Sequence, residues 1–403
     1  MTRLGPPRHI ACALACAAGV GVACLDSGVP GRPTSVTGVV GDSQVAATGS
    51  QLPFPLSFVV RGSTGKPSQG ATVSWTVTPA DAATPSPAVS TTDGQGTAST
   101  TITLGNQIGP VVVRAAVSGG GIDPFDFHLT AVDPCTYYVP YALGATVSGS
   151  LTKTDCNGNL FFVDFLKMDL PAEQQSLHIS MSSSAFDTWV ELYRLGGEYL
   201  AFNGDVASGA TAHSRIDVIA APGGSFVIAP SSWDTMMTGP YTLSAELRPA
   251  TLANCNLVWV TRGVTVADAI MPTDCVDSTG GAAHYFDNVA IYARIGSVLR
   301  IAARSAAINP TLRLFNRGGT QVAANDDSAS GNPNAYIEYA VPSAGPFLIL
   351  VGTSTAQETG PYVLTVAAAT TPSGAAARSE PIRPGLMRLP KGWPPLPGGR
   401  RGH

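Results

Sequence analysis

Trp189-Val190-Glu191-Leu192-Tyr193, followed by Gly196-Gly197, aligns without a gap on Thr311-Leu312-Arg313-Leu314-Phe315 and Gly318-Gly319. Both stretches alternate with the period of a strand, and the glycine pair behind each marks a hairpin turn. The match continues outward. Arg215-Ile216-Asp217 falls on Tyr336-Ile337-Glu338, Phe226 on Phe347, and Thr238-Gly239-Pro240-Tyr241 on Thr359-Gly360-Pro361-Tyr362. One unit is therefore present twice, at 135–247 and 255–367, and each copy has the size of a small β-sandwich.

The rest of the composition suits the same architecture. Charged residues make up 12% of the 403, Lys is scarce, and 44 Gly with 32 Pro punctuate segments of Thr, Ser, Val and Ala. Many short strands joined by tight turns follow from that balance. The formal net charge of −4 offers no concentrated basic surface for phosphate, so nucleic acid is not expected as a partner. An apolar share of 44% is ample for ordinary cores in a chain of two to four domains.

The cysteines fall into a pattern of their own. Cys135 and Cys156 are spaced nearly as Cys255 and Cys275 are, and the second of each pair sits in the same tripeptide, Thr154-Asp155-Cys156 and Thr273-Asp274-Cys275. Neither pair has the Cys-x-x-Cys hooks or His partners of a zinc site, so two local disulfides are expected, which places the chain in an oxidising compartment.

At the N-terminus Arg3 and Arg8 precede an apolar run from Ile10 to Ala23, too short to span a bilayer and of the right length for an export signal over 1–23. Gly21-Val22-Ala23-Cys24 resembles the lipobox of bacterial lipoproteins, which implies lipidation of Cys24; Gly21 stands where that motif usually has Leu, and cleavage to a freely secreted protein is the alternative. Residues 24–34 read as a linker. At the other end, 370–403 is rich in Pro and Gly and carries Arg378, Arg383, Arg388, Lys391, Arg400 and Arg401 against Glu380, the composition of a disordered basic tail.

The repeated order of Leu-x-Leu-aromatic, Gly-Gly, Asn325-Asp326-Asp327, an alternating strand and Thr-Gly-Pro-Tyr-x-Leu resembles the pre-peptidase C-terminal domain, a jelly-roll-like β-sandwich often appended to secreted bacterial proteases. The first copy departs from it at Gly204, which leaves Asn203 and Asp205 of the acidic run, and no peptidase domain accompanies either copy. Before the repeats, 35–132 contains Pro55-Leu56-Ser57-Phe58-Val59-Val60, Ala71-Thr72-Val73-Ser74-Trp75-Thr76-Val77 and Thr92-Asp93-Gly94-Gln95-Gly96-Thr97-Ala98. That ordered set is similar to the bacterial Ig-like group 1 domain of invasin-type proteins, which implies a core position for Trp75. The fold expected is all-β: an export signal, one Ig-like and two jelly-roll-like sandwiches in tandem, and a disordered tail.

No catalytic constellation emerges. Gly41-Asp42-Ser43 lacks the Asp-x-x-His that a GDS-type hydrolase needs, and an isolated Ser without a base is not activated. His128, His178, His213 and His284 are never spaced as metal ligands. Asn325, Asp326 and Asp327, assisted by Asp187 or Asp205, are candidate calcium ligands, with an ordinary Asx turn as the alternative; no other cofactor is expected. Trp233 is the best candidate for an exposed recognition residue. These readings imply an exported, non-catalytic, monomeric scaffold or binding protein at the cell surface, tied to the membrane only by a lipid anchor. Its partner would be an envelope or extracellular polymer or protein. The alternatives are an accessory to a separately encoded hydrolase and a purely structural spacer.

Overall fold

The computed structural model describes residues 32–370 apart from 120, 159, 204–212, 221–222, 249–251, 253–254, 279–280 and 330. The expected export signal, Cys24, the tail beyond Thr370, and Asp205 lie outside the described residues. Everything described is strand, turn or loop.

The N-terminal unit is a two-sheet sandwich. One sheet runs Pro33–Val40, Leu56–Gly62, Thr97–Leu104, Ala83–Ser86; the other runs Val45–Ala47, Phe125–Val132, Gly109–Val117, Thr72–Thr78, Val89–Thr91. This is the strand order of an immunoglobulin-type sandwich, with the short Val45–Ala47 strand parallel to Phe125–Val132. The alternation in Leu56–Gly62, buried at every second residue, explains why the two faces separate cleanly. Trp75 is 3% exposed, tilts against Phe58 and Phe127 at 5.5 and 5.9 Å, and donates from Nε1 to Ser90 Oγ at 2.9 Å. It is a core residue.

Each copy of the repeat is also a sandwich, and the two have the same strand order. In the first, one sheet reads Val139–Pro140, Leu166–Leu170, Gly224–Ser232, Thr188–Arg194, Tyr199–Asn203, and the opposing one Thr146–Leu151, Gly239–Leu247, Gln175–Ser182, His213–Ala220. In the second, the sheets read Leu257–Val260, His284–Ala293, Gly345–Thr353, Pro310–Phe315, Gln321–Asn325, and Val264–Ile270, Gly360–Thr370, Ser297–Arg304, Ala335–Ala340. The glycine pairs do form the hairpin turns, with Gly197 and Gly319 at φ 85° and 77°. Each copy carries its disulfide, Cys135–Cys156 and Cys255–Cys275.

The two copies are joined edge to edge. Leu257–Val260, the first strand of the second copy, pairs parallel with His284–Ala293 of its own sandwich and also parallel with His213–Ala220 of the preceding one. One ten-stranded sheet thus crosses both copies. Side chains follow the backbone across the joint: Trp259 packs with the first copy's core, its ring 4.7 Å from Phe202, and Tyr199 meets Tyr292 at 4.9 Å. Thr261 N–H donates to the Ile219 carbonyl at 3.0 Å, Gln174 exchanges two hydrogen bonds with the Thr265 backbone, and Arg262 pairs with Glu198.

The outer ends of this two-repeat body differ from the joint. At the first, Val139 and Tyr141 turn their N–H groups inward to Phe165 and Lys167, so the position facing outward falls on Pro140, which has no donor. At the second, the places of the joint aromatics Tyr199 and Phe202 are taken by Gln321 and Ala324, and Asn325 Oδ1 accepts the N–H of Tyr336 on the outer strand. The Ig-like unit touches the first repeat as well: Tyr137 Oη donates to the Val45 carbonyl at 2.9 Å, and Gly49, at φ 77°, lies so close to Thr154 that a Cβ would overlap it.

Candidate binding face on the first repeat

Three neighbouring strands of the first repeat, Gly239–Leu247, Gln175–Ser182 and His213–Ala220, build the candidate site. Their alternate residues Leu177, Ile179, Met181, Ile216, Val218, Leu243 and Ala245 are fully buried in the core. The intervening residues therefore face outward together. Register places Ser180 opposite Ser244 and Arg215, and His178 opposite Glu246 and Asp217.

Two features result. A groove of about 270 Å³ opens over Ser180, Ser182, Thr242 and Ser244, with His213 and Arg215 along one wall and Met181 and Ser214 at its floor. The hydroxyls of Ser180 and Ser244 are 2.8 Å apart, so the pair can present one donor and spare lone pairs to a ligand. Beside the groove runs a chain of polar and charged groups. His178 donates from Nδ1 to Asp217 Oδ1 at 2.7 Å, the Arg248 guanidinium stands 2.9 Å from the same nitrogen, and Asp217 Oδ2 holds Arg215 Nε at 3.0 Å. Arg215 Nη2 reaches Asn256 Oδ1 at 3.3 Å, which ties the groove wall to the start of the second repeat. Burial alone would raise the Asp217 carboxyl; the hydrogen bond from His178 and the charges of Arg215 and Arg248 overcome it and hold the carboxyl below its ordinary value. Arg215 is thus a positioned cation at the lip of a hydroxyl-lined groove.

The second repeat does not reproduce this face. By the same register Ala302 replaces Ser180, Val363 replaces Thr242, and Tyr336 replaces Arg215, while the cross-strand charge pair survives as Arg300–Glu338 at 3.0 Å. A larger cavity of about 350 Å³ lies at the seam, lined by Arg194, Glu198, Leu200, Thr261 and Arg262.

The residues singled out from sequence are placed elsewhere. Trp233 is not an exposed platform: it is half-buried against Trp189 at 5.2 Å, because the core at that corner is completed by both indoles. Asn325 donates to the Asp327 carbonyl (3.1 Å) and accepts from Tyr336 N–H (2.8 Å), and Asp326 Oδ1 accepts Asp327 N–H (3.0 Å). Asn325 thus spends its amide on backbone, in the manner of an Asx turn. Among the described residues no group of three or more His, Cys, Asp or Glu is arranged to hold a metal ion. Asp42 of Gly41-Asp42-Ser43 accepts the N–H groups of Ser43 and His128 and serves as a turn anchor. His178 and His213, not spaced as metal ligands in the sequence, share the face described above. The signal for it was present in the alternating polar positions Ser176-x-His178-x-Ser180-x-Ser182, His213-x-Arg215-x-Asp217 and Thr242-x-Ser244-x-Glu246.

A scan against protein-family models finds no match, and a search of curated proteins likewise finds none. The pre-peptidase resemblance therefore rests on the motif residues alone. Solved structures that align include the C-terminal 282-residue fragment of intimin in complex with the intimin-binding domain of its translocated receptor, at 17% identity over 53% of this chain and 64% of that one, TM-score 0.22. Invasin, a bacterial integrin-binding protein, aligns at 15% identity over 83% and 57%, TM-score 0.20, and the secreted serine protease VesC from Vibrio cholerae at 12% over 51% and 49%, TM-score 0.20. The chain spans less than two thirds of the length of each of these three, and at such scores they carry no argument about what it does.

Proposed function

We propose that this is a non-catalytic binding protein of the cell surface or the extracellular space, in which the Ig-like unit is a spacer and the joined repeats form one recognition body. The groove over Ser180, Ser182, Thr242 and Ser244 with Arg215 at its lip is the observation that carries this reading: it combines a preformed concavity, several hydroxyls and a cation already held in place. Two disulfides support an oxidising compartment, and the reading includes export by the N-terminal segment with lipidation at Cys24. The ligand is an envelope or extracellular polymer or protein that offers hydrogen-bonding groups and an acceptor for Arg215.

The test is binding of the mature protein to immobilised glycans and to extracellular proteins, repeated with Arg215→Ala and with Ser180→Val/Ser244→Val. Loss of the same interaction in both variants, at an unchanged melting temperature, is the expected result. Binding that survives both variants moves the site off this face. Turnover of peptide, ester or glycan substrates above a refolded control overturns the non-catalytic reading.

A further inference from the structure

Each repeat sets an aspartate, half-buried in the first and buried in the second, against a tyrosine at the same place in the sandwich. Tyr241 Oη donates to Asp164 Oδ2 at 2.7 Å, and Tyr362 Oη donates to Asp287 Oδ2 at 2.7 Å. Asp287 is wholly buried, and its Oδ1 has no hydrogen-bond partner. A second aspartate stands near each pair, in the tripeptide that carries the disulfide. Asp155 accepts Thr152 N–H and Asp274 accepts Met271 N–H, each at 2.6 Å, which closes the turn leading to Cys156 or Cys275. Asp274 Oδ1 is buried and unpartnered too. The second repeat adds a third acid: where the first has Gly149 under the ring of Tyr241, Asp268 is registered opposite Tyr362.

The charged and titratable groups acting on Asp287 are Asp274 from the turn, Asp268 from strand Val264–Ile270 and Tyr362 from strand Gly360–Thr370; those acting on Asp164 are Asp155 and Tyr241. None is a cation. A carboxylate buried beside other carboxylates has one inexpensive remedy, which is to keep its proton.

We propose that these paired aspartates make the repeats a proton-held lock: folding takes up a proton at Asp164 and at Asp287, and loss of those protons pushes each disulfide-bearing turn away from the core. The lock is closed in acidic medium and loosens toward alkaline pH. Burial first, then the neighbouring aspartate, raises Asp164 to about 7 and Asp287 to about 8, and burial raises Asp274 to about 6, all from an ordinary value of 3.8. Between those limits the folded chain binds more protons than the unfolded one, so stability is fully present below about pH 4 and is lost as pH rises toward 8. Each such proton makes the folding equilibrium about tenfold less favourable per pH unit inside its window.

The experiment compares urea unfolding of the full chain with that of Asp164→Asn/Asp287→Asn from pH 5 to 8.5. Asn keeps the acceptor for the tyrosine hydroxyl and cannot ionise. The variant is expected to gain on the wild type by about a hundredfold in folding constant per pH unit through pH 5–7, where the folded wild type holds both protons and releases them on unfolding. Parallel pH profiles overturn the proposal. Should the variant fail to fold, carbon-13 titration of the wild-type aspartate carboxyls decides instead: two midpoints above pH 6 sustain it, and midpoints all below 5 overturn it.

Discussion

Trp259→Ala should uncouple the repeats. Trp259 is 1% exposed, its backbone partners are Val218 in the first repeat and Ala290 in the second, and its ring lies 4.7 Å from Phe202. A buried Trp removes about 200 Å² from water, which at about 25 cal/mol per Å² corresponds to roughly 5 kcal/mol. Partial collapse of the cavity brings the expected loss to about 3–5 kcal/mol. For a body of two small sandwiches that is a shift of about 1.5 M in urea midpoint. Far-UV circular dichroism is the assay, since it reports both repeats and does not depend on the indole removed. The wild-type repeats should unfold in one transition, while the variant should show an earlier one or split in two. Trp259→Phe should recover most of the loss. A midpoint shift below about 0.3 M with a single transition retained would refute the view that this strand welds the repeats together.

Other consequences are open to measurement. Glu191 is buried in the first repeat and accepts hydrogen bonds from Trp189 Nε1 at 2.9 Å and Tyr193 Oη at 2.6 Å, so Glu191→Ala, which strands both donors, should cost about 3 kcal/mol or more by chemical denaturation. Each disulfide closes a loop of about 20 residues, and reduction should lower the stability of its repeat by about 3 kcal/mol while leaving the Ig-like transition in place, as calorimetry with and without reductant would show. Trp75→Ala should do the reverse, lowering only the Ig-like transition by about 3–5 kcal/mol. Gly149→Ala places a Cβ in the ring of Tyr241 and should cost about 1–3 kcal/mol, with a change in the near-ultraviolet tyrosine signal as the contact to Asp164 is disturbed.

What the sequence determined by itself was whatever depends on near neighbours. Strand period around Leu192 and Leu314, the glycine pairs behind them, the duplicated cysteine spacing and the alternation around Trp75 each act over a few residues, so the all-β sandwiches, the tandem repeat and the core position of Trp75 were legible. Trp233 misled because its partner, Trp189, sits on the neighbouring strand of the same sheet but far away in sequence, and a loop position alone does not reveal that contact. The joint was hidden for a related reason. Leu257-Val258-Trp259-Val260 is a short apolar run that satisfies its own sandwich, and nothing local says that its other edge meets His213–Ala220. The binding face needed tertiary structure most of all. Gln175–Ser182 is bordered by two strands that come later in the chain, and only their register brings Ser180, Ser244 and Arg215 together while His178 and Asp217 meet beside them. Side-chain period tells which residues share a face of one strand; which strands lie side by side is decided by burial of the whole core.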